Sequence, residues 1–183
     1  MTIQRLTEIT DNFGRAKVLV LGDIMLDEYM YGSVERISPE APVPVVDVSS
    51  SKILLGGAAN VAANICSLGG GALLIGVVGE DEAAVKISQL LKSKNISDEL
   101  LVTDLSRRSS IKTRIIAHSQ QIVRADREDR HEVNSEVEKH ILKKFLSVAD
   151  EIQAVIISDY GKGVITLSLL EKLMSVCLEK NIY

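Results

Sequence analysis

Two patterns of apolar positions alternate along the chain. Val18 to Gly22 is a continuous apolar run that ends in Gly22-Asp23, as expected of a strand buried on both faces. Leu73 to Val78, bounded by Gly71 and Gly79, is a second, and Ala154 to Ile157, ending at Ser158-Asp159, is a third. Helical spacing fills the intervals. Ala58 to Leu68 sets Val61, Ile65 and Leu68 on one side, and Glu82 to Leu91 does so with Val85, Ile87, Leu90 and Leu91. Glu136 to Val148 and Leu167 to Leu178 repeat the pattern, the latter with Leu169, Leu170, Leu173, Met174 and Cys177. Buried strands alternating with amphipathic helices predict an α/β fold, a parallel sheet flanked by helices on both faces.

Two stretches break this rhythm. Ser33 to Lys52 holds all three prolines and the alternating tract Val43, Val45, Val46, Val48. Thr103 to Asp126 holds the alternating segments Ile111 to Ala117 and Gln121 to Ala125. Both predict exposed antiparallel strands, a small β lid over one edge of the parallel core. At the other end a helix running to about Glu179 is followed by the turn Lys180-Asn181, and Ile182-Tyr183 reads as the opening of another strand. The expectation is a chain cut within its domain, because a helix in such a fold leads to a return strand.

Composition narrows the function classes. The 183 residues carry 46% apolar and 25% charged positions, the balance of a globular domain with a core. A net charge of −4, spread along the chain, argues against nucleic acid as a partner, since phosphate backbones need a basic face. No apolar run approaches the roughly 20 residues of a membrane span. The first residues lack the continuous apolar stretch of a secretory signal. Cys66 and Cys177, each within an apolar helical pattern, read as buried free thiols of a cytoplasmic protein.

Candidate chemistry lies at strand ends, where ligands bind in open α/β sheets. Asp23 follows the first strand, Asp159 follows the last, and Asp27 comes four residues after Asp23. Carboxylates there accept hydrogen bonds from sugar hydroxyls, although any one of them also reads as a turn-closing Asp. Gly56-Gly57, followed by Ala58, Ala59 and Asn60, lets a backbone approach a ligand and presents the N–H groups of a helix start. A tight turn with close helix packing explains the glycines and alanines equally well, but not Asn60 with Asn64. Lys162, in the loop Gly161 to Gly163, is either a solvated lysine or an anion contact. Arg107, Arg108, Lys112, Arg114, Arg124 and Arg127 lie in or beside the second β stretch, and alternation places Lys112 and Arg114 on one strand face. They suit a phosphate, or equally protect an edge strand by charge. Arg124 to Glu132 reads as a mixed-charge loop. His118, His131 and His140 lack metal-ligand spacing and are expected in solvent, and no dinucleotide or Walker fingerprint is present.

Four segments together resemble a known family: Gly22 to Tyr29, Arg36 to Val46, Gly56 to Ala62 and Ser158 to Gly163. The chain is similar to the ribokinase-like sugar kinases from about Lys17 onward. The Arg36 to Pro44 segment is the narrowest of the four and resembles the heptose 7-phosphate kinases among them. The resemblance implies a ribokinase-like parallel-sheet domain whose β lid pairs with that of a second subunit. It also implies ATP-dependent phosphorylation of the heptose 7-phosphate anomeric hydroxyl, on the route to ADP-heptose for lipopolysaccharide. Asp23, Gly56, Gly57 and Asn60 match positions that hold sugar hydroxyls, and Asp27 fits the same pocket. Lys112, Arg114 and Arg124 would hold the substrate phosphate, Asp159 would support substrate or the Mg²⁺ shell, and Lys162 would lie near the anionic groups.

The family's Gly-Ala-Gly-Asp tetrad, with its anion hole and catalytic base, does not occur in these residues, nor does a His-x-Gly-His nucleotidyl-transfer signature. The resemblance therefore implies that residues 1–183 are the N-terminal part of one kinase domain. No catalytic residue is then expected in this chain, ATP and Mg²⁺ would be bound mainly by a part that follows, and the 183 residues alone would be inactive. Another ribokinase-like carbohydrate kinase and a non-catalytic sugar-phosphate-binding module are the competing expectations.

Overall fold

The computed structural model describes residues 2–183. Its centre is a parallel sheet of four strands, β1 (Lys17–Gly22), β4 (Gly71–Val78), β5 (Leu101–Thr103) and β8 (Ala154–Ser158), in the order β5-β4-β1-β8. Period-2 alternation divides its side chains between two cores. Leu19, Leu21, Ile75 and Val77 face helices α4 (Ser135–Val148) and α5 (Leu167–Lys180), where Ile141, Phe145, Leu169 and Leu173 are buried. Val20, Leu74 and Val78 face α2 (Gly57–Ser67) and α3 (Glu82–Ser93). Side chains cap the helix starts: Asp81 accepts from Ala84 N, Asn134 from Glu136 N and Val137 N, and Thr166 from Leu169 N.

A second sheet forms the lid. Strands β2 (Ile24–Ile37), β3 (Pro44–Gly56), β6 (Ser110–Ala117) and β7 (Gln120–Arg127) lie in the order β3-β2-β6-β7. Its two hairpins are inserted into two crossovers of the parallel sheet. One leaves from the carboxyl end of β1 and returns through α2 to β4. The other leaves after β5 and returns through α4 to β8. Both therefore rise from the carboxyl edge, where open α/β sheets place their ligands.

The α/β expectation holds, with several corrections. The lid begins at Ile24, not Ser33, so Asp27 is a lid residue and not part of a strand-end turn. The lid is mixed, because β2 pairs parallel with β6 while each hairpin is antiparallel. Thr103 belongs to the parallel sheet, beside Val78 of β4. In α2 the buried stripe is Ala58, Ala59, Ala62 and Ala63, not Val61, Ile65 and Leu68, because the helix lies too close to the sheet for larger side chains. Cys66 and Cys177 are free thiols but only half-buried. Helix α1 (Ile3–Asp11) was not expected from the pattern, and none of its residues is buried. At the other end Tyr183 N–H donates to Gln153 O (3.1 Å) and accepts from Val155 N–H through its carbonyl (2.7 Å), so the last residues run beside β8. Among the described residues no helix is long and apolar enough to cross a membrane.

Candidate functional site

Asp23 links β1 to β2 and is the most constrained residue at the carboxyl edge. Its N–H donates to Ser158 O (3.0 Å), and its carbonyl accepts from Ala58 N–H (2.9 Å), which fixes the start of α2. Its carboxylate is 1% exposed. Oδ2 accepts from Tyr160 N–H at 2.7 Å and from Lys162 N–H at 3.1 Å. Oδ1 is buried with no hydrogen bond of good geometry, although the backbone N–H of Val164 lies close enough to favour the charged form. Burial pushes the carboxyl above its usual range, and the nearby Asp159 charge adds to this, against the backbone bonds from Tyr160 and Lys162.

The glycine pair is explained by what crowds it. A Cβ on Gly56 would lie 2.6 Å from Asp27 Oδ2 and 2.8 Å from Met25 Cγ. Gly57 has φ +55°, and a Cβ there would lie 2.2 Å from Asp23 O. The close approach is thus made first by the protein's own Asp23 and Asp27, and Gly56 and Gly57 form the floor between them. No side chain caps α2 at Gly56, and Asn60 stands exposed in the first turn.

Above this floor one face of the lid carries the charge. Asp27 and Tyr29 on β2 stand beside Lys112 and Arg114 on β6, which stand opposite Asp126 and Arg124 on β7. Arg114 donates to Asp27 Oδ1 at 2.5 Å, and its guanidinium lies 5.2 Å over the Tyr29 ring. The Asp27 bond, the largest cause, holds the Arg114 guanidinium above its usual value. Lys112 pairs with Asp126 at 3.0 Å, and Arg124 pairs with the same carboxylate at 2.8 Å. Arg114 directly opposite Arg124 is a destabilising cross-strand pair unless an anion lies between them or each finds its own carboxylate.

Lys112, Arg114, Arg124 and Asp27 therefore converge on one face, and Asp23, Gly56, Gly57 and Asn60 lie below it. Two expectations need correction. Lys162 is not solvated: its side chain is 9% exposed and its ammonium is taken by Glu128 at 2.7 Å rather than standing free for an anion. Asp159 is exposed and closes its own turn, Oδ1 accepting from Gly161 N–H at 2.8 Å. Glu128 itself was missed, because Arg124 to Glu132 read as a solvated loop. The signal was present in the spacing: Arg124, Asp126 and Glu128 continue the two-residue alternation of β7. Arg107 is also buried rather than surface-protective. It pairs with Asp104 at 3.1 Å and donates to Lys162 O and His131 O. All three histidines are exposed, as expected. Among the described residues no three His, Cys, Asp or Glu side chains converge as metal ligands.

The arrangement can hold a polyol carrying an anionic group. The Asp23 carboxylate is buried at the floor, and on the lid the opposed Arg114 and Arg124 are each held by a carboxylate. A family model described as pfkB family carbohydrate kinase matches residues 15–181. The chain is 46% identical over 161 residues to the bifunctional protein HldE of Caulobacter sp. (strain K31), covering 88% of this chain and 32% of that protein. It is 44% identical over 160 residues to the bifunctional protein HldE of Helicobacter pylori (strain Shi470), covering 87% and 35%. It thus spans about a third of the length of the curated relatives it matches. A putative phosphofructokinase from Staphylococcus aureus superposes with a TM-score of 0.71 at 14% identity, over 91% of this chain and 51% of that one. Phosphofructokinase-2 from Escherichia coli gives 0.67 at 20% identity, over 91% and 53%. At these identities the two structures speak for the ribokinase-like fold alone.

Proposed function

The chain belongs to the pfkB family of carbohydrate kinases, and from that premise we propose that it is the acceptor-holding part of an ATP-dependent heptose 7-phosphate kinase. The reaction transfers the γ-phosphoryl group of ATP to the anomeric hydroxyl of D-glycero-β-D-manno-heptose 7-phosphate, giving the 1,7-bisphosphate. The observation that carries the reading is the buried Asp23 carboxylate with its orphan Oδ1, set beneath the opposed Arg114 and Arg124. Oδ1 is buried in the unliganded chain, so a sugar hydroxyl reaches it and supplies the missing bond only on local opening around Asp23, with Asn60 offering a second polar contact from α2. The substrate phosphate lies between Arg114 and Arg124 and exchanges with the carboxylates Asp27 and Asp126 that now pair them. Lys112 adds charge from the same face. Heptose specificity is supported by the likeness to the HldE proteins and by the Arg36 to Pro44 segment, which forms the far end of the β2–β3 hairpin.

Phosphoryl transfer depends on positioning both partners and neutralising charge around the γ-phosphoryl group. These residues supply the acceptor side of that task. The Gly-Ala-Gly-Asp tetrad is not among the 183 residues, which supports the reading that they transfer no phosphoryl group alone. Pairing of two lids into a homodimer rests on the family resemblance, for the exposed Val48, Ile122 and Val123 lie on opposite edge strands or faces of the lid sheet and make no single patch. The test is ADP release with Mg²⁺-ATP and heptose 7-phosphate. It is run on the protein carried through to the stop codon of its gene, with the 183 residues alongside. Turnover by the longer protein only is the expected result. No turnover by a folded longer protein, with hexose phosphates also refused, would sink the kinase reading in favour of a binding module.

A further inference from the structure

Lys162 is pinned from three directions. Its N–H donates to Asp23 Oδ2 at 3.1 Å, its carbonyl accepts from Arg107 at 3.1 Å, and its ammonium pairs with Glu128 at 2.7 Å. Glu128 sits immediately after β7, where the lid chain returns to the parallel layer. The same carboxylate oxygen takes Lys112 of the lid at 3.4 Å, and the other takes Arg130 at 2.7 Å. The Glu128 side chain is only 7% exposed. Burial alone would raise its carboxyl. The bonds from Lys162 and Arg130 and the charges of Lys112 and Lys162 outweigh that and hold it down at about 2.

The Lys162 ammonium is already taken by Glu128. The bonds run from the lid to the buried carboxylate at the floor, in the order Lys112, Glu128, Lys162, Asp23. We propose that Glu128 is a positioning residue: through Lys162 it sets the loop that holds Asp23 Oδ2, and so couples the seat of the lid to the aim of the orphan Asp23 Oδ1. Lid movement that separates Glu128 from Lys162 then frees the amides of Tyr160 and Lys162 from Asp23. The role assigned to Asp23 rests on the kinase reading, whereas the mechanical coupling does not.

The experiment is amide hydrogen exchange, residue by residue, on the full-length gene product and its variants, without substrate. Glu128→Gln keeps the shape and removes the charge. The amides of Tyr160 and Lys162 and those of β7 should then exchange about tenfold faster or more, with α4 and β1 unchanged, because breaking a buried pair opens the segments it joins. Glu128→Asp, which retains the charge, should recover most of the protection. Lys162→Met should reproduce the Glu128→Gln pattern, and the two together should add nothing further. Unchanged exchange at Tyr160 and Lys162, or equal acceleration throughout the molecule, would overturn the proposal. Failure of the kinase reading would appear only in substrate assays and would leave these exchange rates as they are.

Discussion

The parallel layer and the lid are held together by different physics. In the layer Leu19, Val20, Leu21, Leu74 and Ile75 are fully buried, and helices cover both faces. Its stability is hydrophobic burial, which neither salt nor moderate acid removes. The lid buries chiefly the foot of its sheet, at Ile24, Met25, Leu26 and Leu55 with Ile111 partly buried, and at its far end Ala117. The rest is strand pairing and ion pairs, with β7 exposed along its whole length. The division is functional as well. Every cation proposed to meet the substrate stands on the lid, and the residue proposed to receive its hydroxyl stands on the layer. A rigid floor below a charge-held cover allows the cover to exchange its carboxylates for a ligand without disturbing the core.

Substitutions sharpen the contrast, the largest effect first. Phe145→Ala, at a fully buried position under the sheet, should cost about 3–5 kcal/mol in urea unfolding. Ile122→Ala on the exposed lid strand should cost less than about 0.5 kcal/mol. Similar losses at the two sites would erase the distinction. Next comes Gly57→Ala, where φ is +55° and a Cβ would meet Asp23 O at 2.2 Å. A loss of about 1–3 kcal/mol is expected, together with loss of sugar-phosphate binding, since Asp23 must move.

Asp23→Asn should separate stability from function. The amide oxygen can still accept from Tyr160 and Lys162, and no buried charge remains. Because the folded carboxyl is raised above its ordinary 3.8, ionised Asp23 disfavours the fold once pH exceeds its raised value, and that penalty vanishes below the ordinary one. The variant's melting temperature should therefore equal or exceed the parent's at pH 8, with the difference shrinking towards pH 4. Affinity for the sugar phosphate should meanwhile fall about ten- to a hundredfold. Glu128 titrates the other way. Its carboxyl is lowered to about 2 from an ordinary 4.5, so the stability it contributes is complete above the ordinary value and is lost as pH falls towards 2. Smallest of all, 1 M salt should shift the melting temperature by no more than about 2 °C, since pairs such as Lys139–Glu136 are exposed and weak.

The same contrast explains what could be read from the chain. Continuous apolar runs located β1, β4 and β8, the first two buried on both faces and β8 at the sheet edge with Ile156 and Ile157 exposed, and helical spacing located α2 to α5. Strand β5, three residues long, left no pattern of that kind, whereas α1 did carry Ile3, Leu6 and Ile9 at helical spacing although none of them is buried. The onset of the lid at Ile24 was hidden because its foot is as buried as a core strand. At the site, residue types were legible but partners were not. Whether Arg114 meets Asp27, and Lys162 meets Glu128, depends on the register of β6 against β2 and on a loop 34 residues further along, and neither is encoded in local spacing.

The central claim is that floor and lid together hold a phosphorylated sugar, and calorimetric titration tests it most directly. Heptose 7-phosphate is titrated into the protein, beside the unphosphorylated heptose, with Asp23→Asn and Arg114→Met as variants. The account predicts binding of the phosphorylated sugar that weakens when either the phosphate, Asp23 or Arg114 is removed. Equal binding of both sugars, or full affinity in both variants, would contradict it.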